Sequence, residues 1–228
     1  MLLRERLWRR RLRLEKHKKL PKMHSRYSDT ETWTSLLNVL DLDLNRMPRM
    51  NRENVIRLVK RHAATVPWHP YTQGHLYLIH TMALVLHDEM SLYWGYTRIC
   101  RIIHPYGPDT PYETNVIPDY VYDVISDTID VERDLFDVVL RMRWVYVIFG
   151  QTFPTSSGIC AVWDYILRDF SNMYRVCAAL LRHAIDNEPE VDAGVCDLER
   201  FSEFASIKIE SDTDVAGIIA CAQAITTV

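Results

Sequence analysis

Residues 28–48 read SDTETWTSLLNVLDLDLNRMP, and this stretch decides the fold class. Trp33, Leu36, Leu37, Leu40 and Leu44 recur at spacings of three and four, the signature of one apolar helix face. Ser28 or Asp29 supplies an N-cap, Glu31 sits in the first turn, and Pro48 closes the segment. The same grammar repeats outward. A basic helix is expected over 1–20, ending at Pro21, with Leu3, Leu7 and Trp8 at helical spacing and Leu12 and Leu14 following. Asn51 caps a helix that turns Val55, Ile56 and Val59 inward. The run Val66-Pro67-Trp68-His69-Pro70 forces an extended break, because the residue before a proline is pushed out of the helical region. A long helix from about Thr72 then carries Leu76, Ile79, His80, Ala83 and Leu86 on one side, and Asp88-Glu89 opens the next.

Residues 104–118, HPYGPDTPYETNVIP, hold four prolines and read as a loop between an N-terminal lobe (1–104) and a C-terminal helical lobe (119–228) of one domain. Helices are expected there near 119–127, 131–139, 142–150, 159–168, 171–186, 197–206 and 212–225. Trp144–Phe149 (WVYVIF) suits a buried strand equally well, but no partner strand is visible and helix is preferred. With only 7 glycines in 228 residues, left-handed turns are scarce, which also favours helices over a many-turned sandwich or barrel.

Composition excludes several classes. Hydrophobic residues are 48% and charged residues 25%, as in a folded globular chain. No apolar run is long enough to span a bilayer, and the charged N-terminus lacks the apolar core of a secretory signal. Cys100, Cys160, Cys177, Cys196 and Cys221 form no metal-ligand pair and read as reduced thiols of a cytoplasmic or nuclear protein. His62, His69, His75, His80 and His87 cluster without ligand spacing, so no metal is expected. Asp127, Asp130 and Asp134 read as a solvated acidic face; Tyr93, Trp94, Tyr96, Trp144, Tyr146 and Phe149 read as core. Charge is lopsided: residues 1–22 carry ten Lys/Arg against two Glu. That segment is either a helix docked by its apolar residues or a free basic arm for nucleic acid, anionic lipid or nuclear import.

Three short patterns occur in order: Arg4-x-x-x-Trp8, Leu40-x-x-Asp43-x-x-Arg46, and Tyr71-x-Gln73-Gly74. Downstream follow Asp88-Glu89 with Tyr93-Trp94, Arg143-Trp144 with Phe149 and Pro154, and Trp163-Asp164. Together, over about residues 4–185, they resemble the TBC domain of GTPase-activating proteins for Rab-type small GTPases, which implies an all-α, two-lobed fold. The resemblance implies that Arg46 and Gln73 act as an arginine and a glutamine finger. An inserted guanidinium neutralises charge growing on the phosphoryl oxygens, and an amide orients the attacking water. It further implies that Asp43, Tyr71 and Gly74 support the fingers and that Arg4, Trp8, Trp163 and Asp164 are structural. GTP and magnesium would belong to the partner GTPase, so this chain needs no cofactor. It would work in the cytoplasm, recruited to membranes through partners. Departures from the family pattern are Met47-Pro48 after Arg46, His75 after Gly74, and a connection of only 27 residues from Arg46 to Gln73. The compact chain is also similar to the small TBC-domain subunit of the tuberous sclerosis complex, which implies a catalytically silent scaffold for a partner helix.

Overall fold

The computed structural model describes residues 2–22, 30–47, 50–66, 71–103, 117–187, 198–209 and 211–225. The expected Ser28/Asp29 cap, the Pro48 closure, the Pro67–Pro70 break, most of the 104–118 loop and Cys196 lie outside these residues. The protein is all-α, with no strand among the described residues. The chain divides into two compact units, Met1–Asn115 and Val116–Val228.

The first unit holds α1 (Leu2–Arg11), α2 (Thr30–Arg46), α3 (Arg52–Thr65), α4 (His75–Ala83) and α5 (Glu89–Ile103). The single helix expected over 1–20 stops at Arg11; a short 3₁₀ turn, Leu14–Lys16, follows. Arg13, between them, has φ 56°, a left-handed conformation that no continuing helix accepts. The N-terminal segment docks on the unit rather than forming a free arm. Its anchors differ from the expected stripe, however: Trp8, Leu12 and Leu14 are buried, whereas Leu3 and Leu7 are 72% and 37% exposed. Breaking the helix after Arg11 lets Leu14 turn inward with Trp8 and Leu12.

On α2, Leu40 and Leu44 are buried, and Asp43 shares that inward face. α3 begins as its sequence requires, with the Asn51 side chain accepting from the Asn54 amide at 3.0 Å. α3, α4 and α5 share a layer of buried polar pairs. His62 Nδ1 lies 3.1 Å from Thr97 Oγ1, Thr65 Oγ1 lies 2.5 Å from Tyr93 Oη, and His75 Nδ1 lies 3.0 Å from Tyr96 Oη. The atoms joined in these pairs exchange water for a protein partner, which removes most of the cost of burying them.

The second unit holds α6 (Asp119–Tyr122), α7 (Arg133–Leu140), α8 (Ser156–Ile166), α9 (Asn172–Asn187), α10 (Leu198–Phe204) and α11 (Asp212–Ala224). The helix expected over 119–127 lasts four residues and gives way to turns. Residues 142–150 form neither the expected helix nor a strand. A π-helical turn, Arg141–Val145, runs into turns in which Ile148 and Phe149 have φ 42° and 59°. Left-handed φ at a β-branched residue is costly. Complete burial of Ile148 and Phe149 offsets it, and the Trp163 indole donates to Ile148 O at 3.1 Å. Trp144 donates in the same way to Ala205 O. Thr155 caps α8 by accepting from the Gly158 amide, and Ser211 caps α11.

Candidate functional site

The site is built around one carboxylate. Asp43 is 2% exposed and lies one helical turn before the end of α2. Its Oδ2 accepts from Tyr71 Oη at 2.6 Å and from the Gly74 amide at 2.8 Å. Its Oδ1 faces Arg46 Nη1 at 3.5 Å. The Asp43 side chain therefore ties the end of α2 to the turn over residues 71–74 that starts α4.

Each residue of that turn has a defined part. Tyr71 is buried, and burial together with its bond to the Asp43 carboxylate pushes the phenol pKa far above its ordinary value. It remains a hydrogen-bond donor at any working pH. Gly74, at φ 92°, occupies left-handed backbone and so aims its N–H at Asp43 while opening α4. Gln73, between these two buried residues, is exposed. Arg46 is exposed as well: its side chain is 58% open to solvent. A half-solvated ion pair at 3.5 Å contributes at most about 1 kcal/mol, so Asp43 orients the guanidinium without locking it. The arrangement offers one permanently charged planar donor and one amide beside a buried, hydrogen-bonded carboxylate.

His75 forms a supporting layer that its spacing in the sequence does not reveal. It is 1% exposed and packs edge-on against Tyr71. Its Nδ1 accepts from the Thr72 amide at 3.4 Å and faces Tyr96 Oη at 3.0 Å. It thereby fixes the turn to α5. The only sequence signal for this role is a polar side chain at the start of a mostly apolar helix.

The remaining predicted residues are structural in position. Trp8 is fully buried and Arg4 is partly buried on α1. Trp163 and Asp164 lie on α8 of the second unit, where the Trp163 indole holds the Ile148 turn. Among the described residues, no group of three or more His, Cys, Asp and Glu could hold a metal ion, and no helix is long and apolar enough to cross a membrane. No protein-family model matches the chain, and no curated protein matches it either.

Proposed function

We propose that this chain is a GTPase-activating protein for a Rab-type small GTPase, presenting Arg46 and Gln73 to a nucleotide site that the partner leaves incomplete. The observation that carries the reading is the Asp43 carboxylate, which joins the arginine-bearing end of α2 to the glutamine-bearing turn while both finger side chains stay in solvent. In the assembled complex the partner holds GTP and magnesium. The Gln73 carbonyl oxygen accepts from the attacking water and its NH₂ donates to a phosphoryl oxygen. The Arg46 guanidinium releases its loose contact with Asp43 and donates to the oxygens on which charge builds. Asp43 keeps the turn in place throughout, through Tyr71 and Gly74. An activator of this kind acts in the cytoplasm and reaches membranes through its partners.

Single-turnover GTP hydrolysis across a panel of Rab-type GTPases tests this directly. At least one GTPase should be accelerated. Arg46→Ala should remove about 10³-fold or more of that acceleration, and Arg46→Lys should not restore it. Gln73→Ala should also fail to accelerate. No acceleration by the wild type, or full acceleration by either alanine variant, refutes the reading.

A scaffold role draws on a different observation. Val138 and Met142 are 53% and 61% exposed, an apolar pair at i and i+4 suited to a partner helix. A complex that survives Arg46→Ala and Gln73→Ala but is lost on Val138→Asp would favour it.

A further inference from the structure

The first unit contains a second concave site, away from Asp43, whose lining is strongly cationic. Trp94, Arg98 and Arg101 follow i, i+4, i+7 spacing and so share one face of α5. Against that face lies the chain that leaves α1. The left-handed residue Arg13 redirects it, Lys16 ends the 3₁₀ turn and His17 caps it. His17 stacks on Trp94 with ring centroids 3.8 Å apart and planes at 11°, and the Trp94 indole donates to Lys19 O at 3.2 Å. Between the two segments is a pocket of about 200 Å³ lined by these six side chains over a floor of Leu12 and Thr97.

Among the described residues, no ion pair compensates the charge of this pocket. Several other arginines of the unit meet acids: Arg9 pairs with Glu5 and Asp88, Arg52 with Asp41, and Arg57 and Arg61 with Glu89. Arg13, Lys16, Arg98 and Arg101 have no ion-pair partner among the described residues, and no carboxylate lines the pocket. Their field is felt locally: burial, then Arg101 and Lys16, hold the His17 imidazole below its ordinary pKa. Four like charges around a concave surface repel one another and concentrate anions there. The flat Trp94–His17 pair gives the pocket an apolar wall on which a ring can rest.

We propose that this pocket binds a ring-bearing phosphomonoester of high negative charge, such as an inositol phosphate, either free or as a lipid headgroup. The guanidiniums of Arg98 and Arg101 grip phosphate oxygens from α5, Arg13 and Lys16 close from the opposite side, and the ring lies against Trp94 and His17. None of these residues belongs to the proposed finger site, so the two readings stand or fall separately.

The full chain should be titrated calorimetrically with inositol trisphosphate and with inorganic pyrophosphate. In parallel it should be floated with phosphatidylcholine vesicles containing phosphatidylinositol bisphosphate, and with vesicles carrying phosphatidylserine at matched surface charge. Saturable trisphosphate binding, weakened on the order of tenfold by each of Arg98→Gln and Arg101→Gln, is expected. Pyrophosphate, which lacks the ring, should bind more weakly. Both arginines are exposed, and unchanged circular dichroism will show that the variants fold. Flotation with the phosphoinositide vesicles but not the phosphatidylserine vesicles identifies the lipid headgroup. Trisphosphate binding without flotation identifies a soluble ligand. Absence of trisphosphate binding overturns the proposal. So does equal flotation with both vesicle types, or an equal loss of binding in Arg6→Gln/Arg10→Gln, which alters exposed charges of α1 outside the pocket.

Discussion

At the scale of single residues, Asp43 is the most consequential side chain of the candidate site. It touches no solvent to speak of, yet three groups converge on it. Asp43→Ala should leave the Tyr71 hydroxyl and the Gly74 amide without their acceptor and cost about 1–3 kcal/mol, read from urea denaturation. Gly74→Ala should cost about 1–2 kcal/mol through left-handed strain. Both should impair GTPase activation more than their stability loss explains, because both move the Gln73 turn. Protonation is a further residue-scale lever. Burial holds His80 below its ordinary value of 6.5, and burial with neighbouring cations does the same for His17. A depressed pKa means that the unfolded chain binds the proton more tightly. The stability that these groups contribute is therefore complete above pH 6.5 and is lost as pH falls below it. Denaturation midpoints should drop across that window, and His80→Gln should flatten the drop. Asp88 and Asp169 add a separate acid window below 3.8. Burial raises the Asp88 pKa, but bonds from Ser91 and the Arg9 charge outweigh it; amide and hydroxyl bonds from Ser171 lower that of Asp169.

At the scale of elements, the helices obey their caps and glycines. Gly158, in the first turn of α8, has no room for a side chain: a Cβ there would lie 2.7 Å from Thr155 Oγ1 and 3.1 Å from Val215 Cγ2. Gly217, on the exposed side of α11, would meet nothing within 4 Å. The same substitution should therefore have opposite signs at the two positions. Gly217→Ala should stabilise by about 0.5–1 kcal/mol through helix propensity. At Gly158 that gain is outweighed by overpacking of about 1–3 kcal/mol and by loss of the Thr155 cap. Thermal melts of the two variants side by side check the prediction. Apolar periodicity made α2, α3, α5, α8, α9 and α11 legible within a few residues at most of their ends. Periodicity says nothing about Arg13, Ile148 or Phe149, whose left-handed backbones are held by partners distant in sequence.

At the scale of the molecule, charge and architecture coincide. Met1–Asn115 carries 19 Lys/Arg against 11 Asp/Glu, whereas Val116–Val228 carries 8 against 19. Each unit has its own buried aromatic core: Trp8, Tyr93 and Tyr96 in the first, and Trp144, Phe149, Trp163 and Phe201 in the second. Expressed separately, fragments 1–115 and 116–228 should each show helical circular dichroism and a cooperative urea transition. A fragment that melts without cooperativity would show that its core is insufficient alone.

Sequence alone determined that this protein is helical and where most helices run, because an α-helix is a local object whose 3.6-residue period is written directly in the chain. The resemblance carried by its motifs implied that Asp43, Arg46, Tyr71, Gln73 and Gly74 act as a set. Only the tertiary structure decided what Asp43 does, since the amide and hydroxyl that it accepts from lie 31 and 28 residues away. The same holds for the basic N-terminus. Its charges are plain in the sequence, but their convergence with Arg98 and Arg101 depends on the left-handed backbone at Arg13, which burial of Trp8, Leu12 and Leu14 stabilises and no local rule predicts.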